Sequence, residues 1–222
     1  MKKEAIQFFQ LLSRSFITPI ALLSFASLLL GVASLFLWHE PLRQMLPFLN
    51  SAPCQYMAQL MNTVGAVIMD NLALLFAVSL GYTLAKEEKE YAALGALCGY
   101  LALLMGMQAL ITNAPAVNAL FPEKALTTTL GINTVNTGVV GGILCGLLSA
   151  AIHNRVYQIK FPVALAFFGG VRFVPLANVM FFVLFGQCFP FIWLGMSNVI
   201  TTAAAGVAQS GIWGPFIYGF GE

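Results

Sequence analysis

Five long apolar segments alternate with short polar ones along the chain. A helix needs about 20 predominantly apolar residues to cross the hydrocarbon core of a bilayer. The pattern therefore predicts an all-α integral membrane protein with about five transmembrane helices. The predicted spans lie near residues 16–38, 61–85, 91–112, 137–152 and 173–194.

The segments at and between these spans carry further predictions. Residues 1–15 mix basic and apolar side chains, which favours an amphipathic segment at the membrane surface. The apolar run that follows, 16–38, is longer than the roughly 7–15 residues of a signal peptide, so we expect it to stay uncleaved. Residues 39–58 contain three prolines and predict a loop or short surface helix, and 113–136 predict an external loop, partly folded back.

The last part of the chain is charge-free and then stops on a carboxylate. Residues 197–210 are rich in Ser, Thr and Ala, which favours a position at the interface or against another element. Residues 211–222 are apolar but too short to span, and they end on Glu222. We interpret 211–222 as the start of a sixth span and expect the chain to be part of a longer protein.

The composition supports a membrane environment. Apolar residues make up 59% of the chain and charged residues 8%, against about 25% charged in soluble domains. Eight acidic and ten basic side chains are too few to cover a water-soluble surface of this size. The net charge of +2, without a basic cluster, gives no indication of nucleic-acid binding.

The basic residues predict an orientation. If the N-terminus is cytoplasmic, the cytoplasmic segments hold eight of the ten: Lys2, Lys3, Arg14, Lys86, Lys89, Arg155, Lys160 and Arg172. The outer loops then hold Arg43 and Lys124. Because cytoplasmic loops are enriched in Lys and Arg, this division predicts a cytoplasmic N-terminus.

The fourth span carries glycines at four-residue spacing, at Gly138, Gly142 and Gly146. This spacing places small residues on one helix face, which allows a second helix to approach closely. A phosphate-binding loop is the alternative, but no lysine follows the glycines and the flanks are apolar.

Other candidate chemistry is sparse. Asp70 lies within a predicted span, where an ionisable residue suggests a functional site. The alternative, which we favour, is that Asp70 faces protein or water near a helix break. The four cysteines are too far apart for a metal site or a disulfide framework, and we expect small buried side chains at these positions. We predict no metal and no cofactor.

The connection after the fourth span carries a specific motif. The stretch begins His153-Asn154-Arg155 and continues through Lys160 and Pro162 to Arg172-Phe173-Val174-Pro175. It is similar to the "HNR-x-[YF]-x-I-K-[LF]-P…FF-[AG]-G-x-RFVP" connection of the membrane (IIC) component of the bacterial phosphoenolpyruvate-dependent sugar phosphotransferase system. Stretches 19–31, 71–86, 136–142 and 214–222 also resemble this family, in its glucose/maltose branch.

The resemblance implies a fold and a function. The family members are homodimeric permeases of about ten spans in the bacterial inner membrane. They carry a sugar, here maltose or glucose, to the cytoplasm, where the IIB and IIA partners supply the phosphate. Residues 16–210 would form the dimer-contact half, and 211–222 would begin the transport half, with Glu222 binding sugar.

The chain also departs from the family pattern. Many relatives have a proline at the position of Ala73, and a proline can break a helix. Its replacement here leaves the helix break at this position in doubt. The phosphorylated cysteine motif of IIB is absent, so the chain carries no catalytic residue and would act as a phosphotransferase only within the complete system.

Two other hypotheses compete with transport. One is a membrane interaction protein, derived from such a permease, that dimerises and transports nothing. The other is an intramembrane enzyme, which is weak because His39 and His153 fall on opposite sides and no two carboxylates share a span.

Overall fold

The computed structural model describes residues 2–121 and 125–208, and in these ranges the chain is almost entirely helical. Glu222, the whole predicted segment 211–222 and Lys124 lie outside the described residues. The helices are α1 (Lys2–Leu37), α2 (Glu40–Met45), α3 (Ala52–Asp70), α4 (Leu72–Leu84), α5 (Lys89–Asn113), α6 (Pro115–Asn118), α7 (Gly138–Val156) and α8 (Phe173–Ala208). One hairpin pairs β1 (Leu126–Thr129) with β2 (Ile132–Val135).

Four of the described helices, α1, α5, α7 and α8, are long and apolar enough to cross a membrane. A fifth candidate span is formed by α3 and α4 together, which meet at Asn71 with a bend of 54°. The prediction of an all-α membrane protein with about five spans is therefore confirmed.

The N-terminal half differs from the predicted boundaries. Residues 1–15 were expected as a separate surface segment, but α1 continues without a break from Lys2 to Leu37. The expected loop at 39–58 holds α2 and a 3-10 turn, and α3 already begins at Ala52. Its three prolines each occupy a first-turn position, where the missing N–H costs no helical hydrogen bond.

The C-terminal half contains longer helices than predicted. Helix α7 extends to Val156, so His153, Asn154 and Arg155 lie in its last turn and not in a connection. Helix α8 continues to Ala208, so the described part of the predicted interfacial segment 197–210 prolongs the fifth span. Residues 197–208 contain no proline, which is one of the sequence signals that end a helix.

The β-hairpin was not predicted as such. Its turn residues Leu130 and Gly131 have φ of 54° and 78°, the positive values that a two-residue type I′ connection requires. Threonines and β-branched residues flank this turn, which is the composition of short strands.

Helix α5 lies at the centre of the bundle and packs against α4, α7 and α8. Its inward side chains, including Tyr100, Leu103 and Met107, form the core with Phe182 and Phe189 of α8. The α5–α8 crossing is close because Gly106 of α5 faces Gly186 of α8. A Cβ added to Gly186 would lie only 3.0 Å from the Gly106 Cα. Helix α1 is at the periphery, against α3 and α4.

A proline in α1 creates a contact between helices. Pro19 has no N–H, so the carbonyl of Ser15, four residues earlier, loses its helical donor. The hydroxyl of Ser79 in α4 donates to this carbonyl at 2.6 Å. The pair joins α1 to α4 inside the span and satisfies a backbone group that lipid could not.

Candidate functional site

The motif residues His153 and Asn154 hold the loop between α4 and α5. The Asn154 Nδ2 donates to the Leu84 carbonyl at 3.1 Å, and its Oδ1 accepts from the Lys86 N–H at 2.9 Å. The His153 Nε2 lies 2.8 Å from the Glu87 carbonyl. Since a carbonyl only accepts, His153 Nε2 carries a proton and donates it in this bond. We call His153, Asn154 and residues 84–87 the loop anchor.

Burial separates the members of the motif. His153 is fully buried and stacks on Tyr157, with ring centroids 5.3 Å apart. Its Nδ1 has no hydrogen-bond partner. Arg155 is exposed, as is Arg172, whose guanidinium lies 5.1 Å from the Phe167 ring centroid. The motif thus divides into an internal pair that shapes a loop and two external cations.

The loop anchor also explains an unusual backbone conformation. Glu88 precedes α5 with φ of 48°, a left-handed value that costs a non-glycine residue free energy. The surrounding hydrogen bonds to Leu84, Lys86 and Glu87 hold the loop in this conformation. The side chains of residues 86–88 remain exposed, so the loop presents charge at the surface. Its backbone is held by the hydrogen bonds from His153 and Asn154.

The three predicted glycines have different environments. A Cβ at Gly142 would overlap the backbone of Ala73, and one at Gly146 would lie 2.6 Å from the Leu80 Cβ. Both glycines therefore bring α7 against α4. Gly138 has φ of 51° at the start of α7, and a Cβ there would meet no atom within 4 Å. Its role is conformational and not one of helix packing.

A polar cavity lies at the opposite end of α4, beside the bend. It has a volume of about 380 Å³ and is lined by Asp70, Asn71, Asn136 and Thr137, together with residues 127–129 of the hairpin. The Asn71 Nδ2 donates to the Val67 carbonyl at 2.8 Å, while its buried Oδ1 has no partner. Asp70 is exposed at this helix break, the position that we favoured from the sequence.

Sequence reasoning did not find this cavity, because the hairpin that closes it was interpreted as a loop. The only available signal was the run of β-branched residues around Leu130-Gly131.

The expectation of four buried cysteines holds in full only for Cys145, since Cys54 and Cys98 are half-buried and Cys188 is exposed.

A bundle of apolar helices, one of them broken at a polar cavity, defines a multi-pass helical membrane protein. The chain belongs to the family described as Phosphotransferase system, EIIC, whose model matches residues 13–222.

Two relatives place the chain more closely within this family. It is 30% identical over 220 residues to the PTS system maltose-specific EIICB component of Escherichia coli (strain K12). The matched region covers 97% of this chain and 41% of that protein. It is 33% identical over 214 residues to the PTS system glucose-specific EIICBA component of Staphylococcus saprophyticus, covering 95% and 31% respectively. The chain therefore spans less than half of the length of either relative, 41% of the first and 31% of the second.

Proposed function

We propose that this chain is part of the membrane component of a sugar phosphotransferase system, which carries maltose or glucose across the inner membrane and releases it phosphorylated. The observation that carries this proposal is the family match over residues 13–222, with relatives named for maltose and for glucose. Since those relatives are EIICB and EIICBA components, IIB and IIA proteins or domains are the proposed partners.

Within this function, the described helices serve as a scaffold. The α5–α8 crossing and the α4–α7 glycine contact leave little room between helices, which suits a part that stays fixed while another part moves. Residues 16–210 would then be the dimer-contact half and Glu222 a sugar ligand of the transport half. The loop anchor would hold the α4–α5 loop at the cytoplasmic face, with Arg155 and Arg172 exposed toward a partner.

The experiment is uptake of labelled maltose and of labelled glucose by cells that carry the intact natural protein with its IIA and IIB partners. We expect intracellular phosphorylated sugar from one of the two, and none when IIA is absent. Uptake of neither sugar would contradict the proposed substrates. For the ligand role, Glu222→Gln should reduce uptake at least tenfold, whereas Glu40→Gln, an exposed carboxylate in α2, should leave it unchanged.

Homodimer formation is tested separately. The mass of the detergent-solubilised protein, measured by light scattering after chromatography, should correspond to two copies. A monomer mass across the accessible concentration range would contradict the dimer without affecting the transport proposal.

A further inference from the structure

An open groove lies between α1, α4 and α5. Its volume is about 670 Å³. All three helices contribute to it, and its lining includes Arg14 and Lys89. This groove is distinct from the loop anchor and from the polar cavity, and neither the family motif nor the proposed sugar ligand contributes to it.

The three walls of the groove change from polar to apolar in the same direction. On α1 the lining runs from Arg14 to Leu22, with Leu11 about one turn outside Arg14, and on α5 it runs from Lys89 to Leu97. On α4, which runs the opposite way, it runs from Thr83 back to Leu75. Each interval is eight residues, or about 12 Å along a helix. The groove therefore has a cationic level near one end, edged by Leu11, and a hydrocarbon end.

The cations at the polar end are available to a ligand. Neither Arg14 nor Lys89 makes an ion pair with an acidic side chain in the described part of the chain. The Lys89 Nζ lies 5.7 Å from the ring centroid of Tyr82, and Tyr82 itself lines the groove. Thr83, and Thr18 one turn beyond Arg14 on α1, add hydroxyl groups to the lining. Two cations and several hydroxyl donors form a suitable environment for a phosphate group.

We propose that the groove binds one glycerophospholipid with an anionic headgroup, such as phosphatidylglycerol. Its phosphate lies between Arg14 and Lys89, and an acyl chain lies along Leu75, Leu22 and Leu97. The order of a charged group followed directly by hydrocarbon matches the order of the groove lining. A zwitterionic lipid fits less well, because its choline would approach the same two cations. In the orientation proposed above, this lipid belongs to the cytoplasmic leaflet, but the binding itself does not depend on that orientation.

The test is native mass spectrometry of the purified intact protein in detergent with equal amounts of phosphatidylglycerol and phosphatidylcholine of identical acyl chains. We expect preferential retention of phosphatidylglycerol. The double variant Arg14→Gln/Lys89→Gln should reduce this preference by about fivefold per cation removed. The control Lys86→Gln removes an exposed cation outside the groove lining and should leave the preference unchanged. Equal retention of both lipids by the unmodified protein, or an equal loss in the control, would overturn the proposal.

A second pair of variants tests the apolar end. Ala93→Phe places a ring within the groove, and we expect it to reduce the amount of bound lipid. Leu94→Phe changes the adjacent, exposed position outside the groove lining, and this variant should bind as much lipid as the unmodified protein.

Excess glycerol 3-phosphate should not displace phosphatidylglycerol, and displacement would identify a soluble phosphate as the ligand instead. A change in protein mass from dimer to monomer in Ala93→Phe, without lipid loss, would identify a second copy of the chain as the occupant.

Discussion

At the residue scale, Asn154 shows how one side chain can determine a loop. It provides both a donor and an acceptor to the main chain of residues 84–86. Both partners are backbone groups, so the loop conformation does not depend on which side chains the loop carries. A buried backbone group that loses its partner is costly, which makes Asn154 a sensitive position.

We predict that Asn154→Ala lowers the stability of the protein by about 1–3 kcal/mol, because it leaves the Leu84 carbonyl and the Lys86 N–H without their partner. Thermal denaturation in detergent measures the change. The control is Gln158→Ala, an exposed residue two positions beyond the end of α7, whose side-chain amide donates to the Tyr157 hydroxyl. Equal shifts in the two variants would show that Asn154 has no special role.

A glycine at a helix contact gives a second prediction. Gly146→Ala should cost about 1–3 kcal/mol, since its Cβ would lie 2.6 Å from the Leu80 Cβ and 2.7 Å from the Ala77 carbonyl oxygen. Gly31→Ala, in α1 with no atom within 4 Å, should be neutral or slightly stabilising. Unfolding in a denaturing detergent titration compares them, and an unaffected Gly146→Ala variant would contradict the close α4–α7 contact.

At the element scale, the break between α3 and α4 occurs without the proline that the family pattern carries. Asn71 supplies the break instead, since its side chain bonds back to the Val67 carbonyl and competes with helix continuation. Ala73 then occupies the first turn of α4, where a backbone N–H needs no helical acceptor.

This geometry predicts that Ala73→Pro is tolerated, with a change of less than about 1 kcal/mol, because a first-turn proline removes no helical hydrogen bond. Ala77→Pro, one turn further into α4, should cost about 3 kcal/mol or more. The folded fraction after purification and the midpoint of thermal denaturation distinguish the two. Comparable losses in both variants would place the start of α4 elsewhere.

The sequence predicted spans well and their boundaries poorly. Apolar runs identified the four described helices that are long and apolar enough to cross a membrane, and the bent α3–α4 pair, since lipid requires a long helix whatever its neighbours are. Helix ends were missed where the deciding interactions are tertiary. The α7 terminus extends because Asn154 and His153 find partners in a distant loop, and the α3–α4 break depends on a single Asn side chain.

The candidate sites, too, were only partly predictable from the sequence. The motif at His153 and Asn154 could be recognised in the sequence. Its hydrogen-bond partners could not, because they are main-chain groups that any residue type carries. Among the glycines, spacing alone could not separate Gly138 from Gly142 and Gly146, because only the position of α4 makes the difference. The polar cavity requires the bend and the hairpin together, so no local pattern predicts it.

At the scale of the whole molecule, the described helices place the loop anchor and the hairpin at opposite ends of α4. In the proposed orientation, which rests on the bias of basic residues, the loop anchor faces the cytoplasm. We therefore predict that a cysteine at Glu88 is not labelled by an impermeant maleimide added outside intact cells. The same reagent should label a cysteine at Leu130, which is exposed at the hairpin tip.

The four natural cysteines are first replaced by serine, because Cys188 is exposed. Labelling at Glu88 from outside, with protection at Leu130, would reverse the orientation of the whole bundle. Labelling at both positions would contradict a sealed bundle with these two sites on opposite sides.

The short length of α4 has an electrical consequence. Its 13 residues extend about 20 Å, roughly 10 Å less than the hydrocarbon thickness. In the proposed orientation, with Leu84 at the cytoplasmic edge of the hydrocarbon, the polar cavity at Asn71 would lie about 10 Å inside the outer edge, and a charge that entered it from outside would cross about a third of the transmembrane potential. For one elementary charge this amounts to about 0.8 kcal/mol per 100 mV. Asp70, which lines this cavity, would then lie within that share of the transmembrane potential.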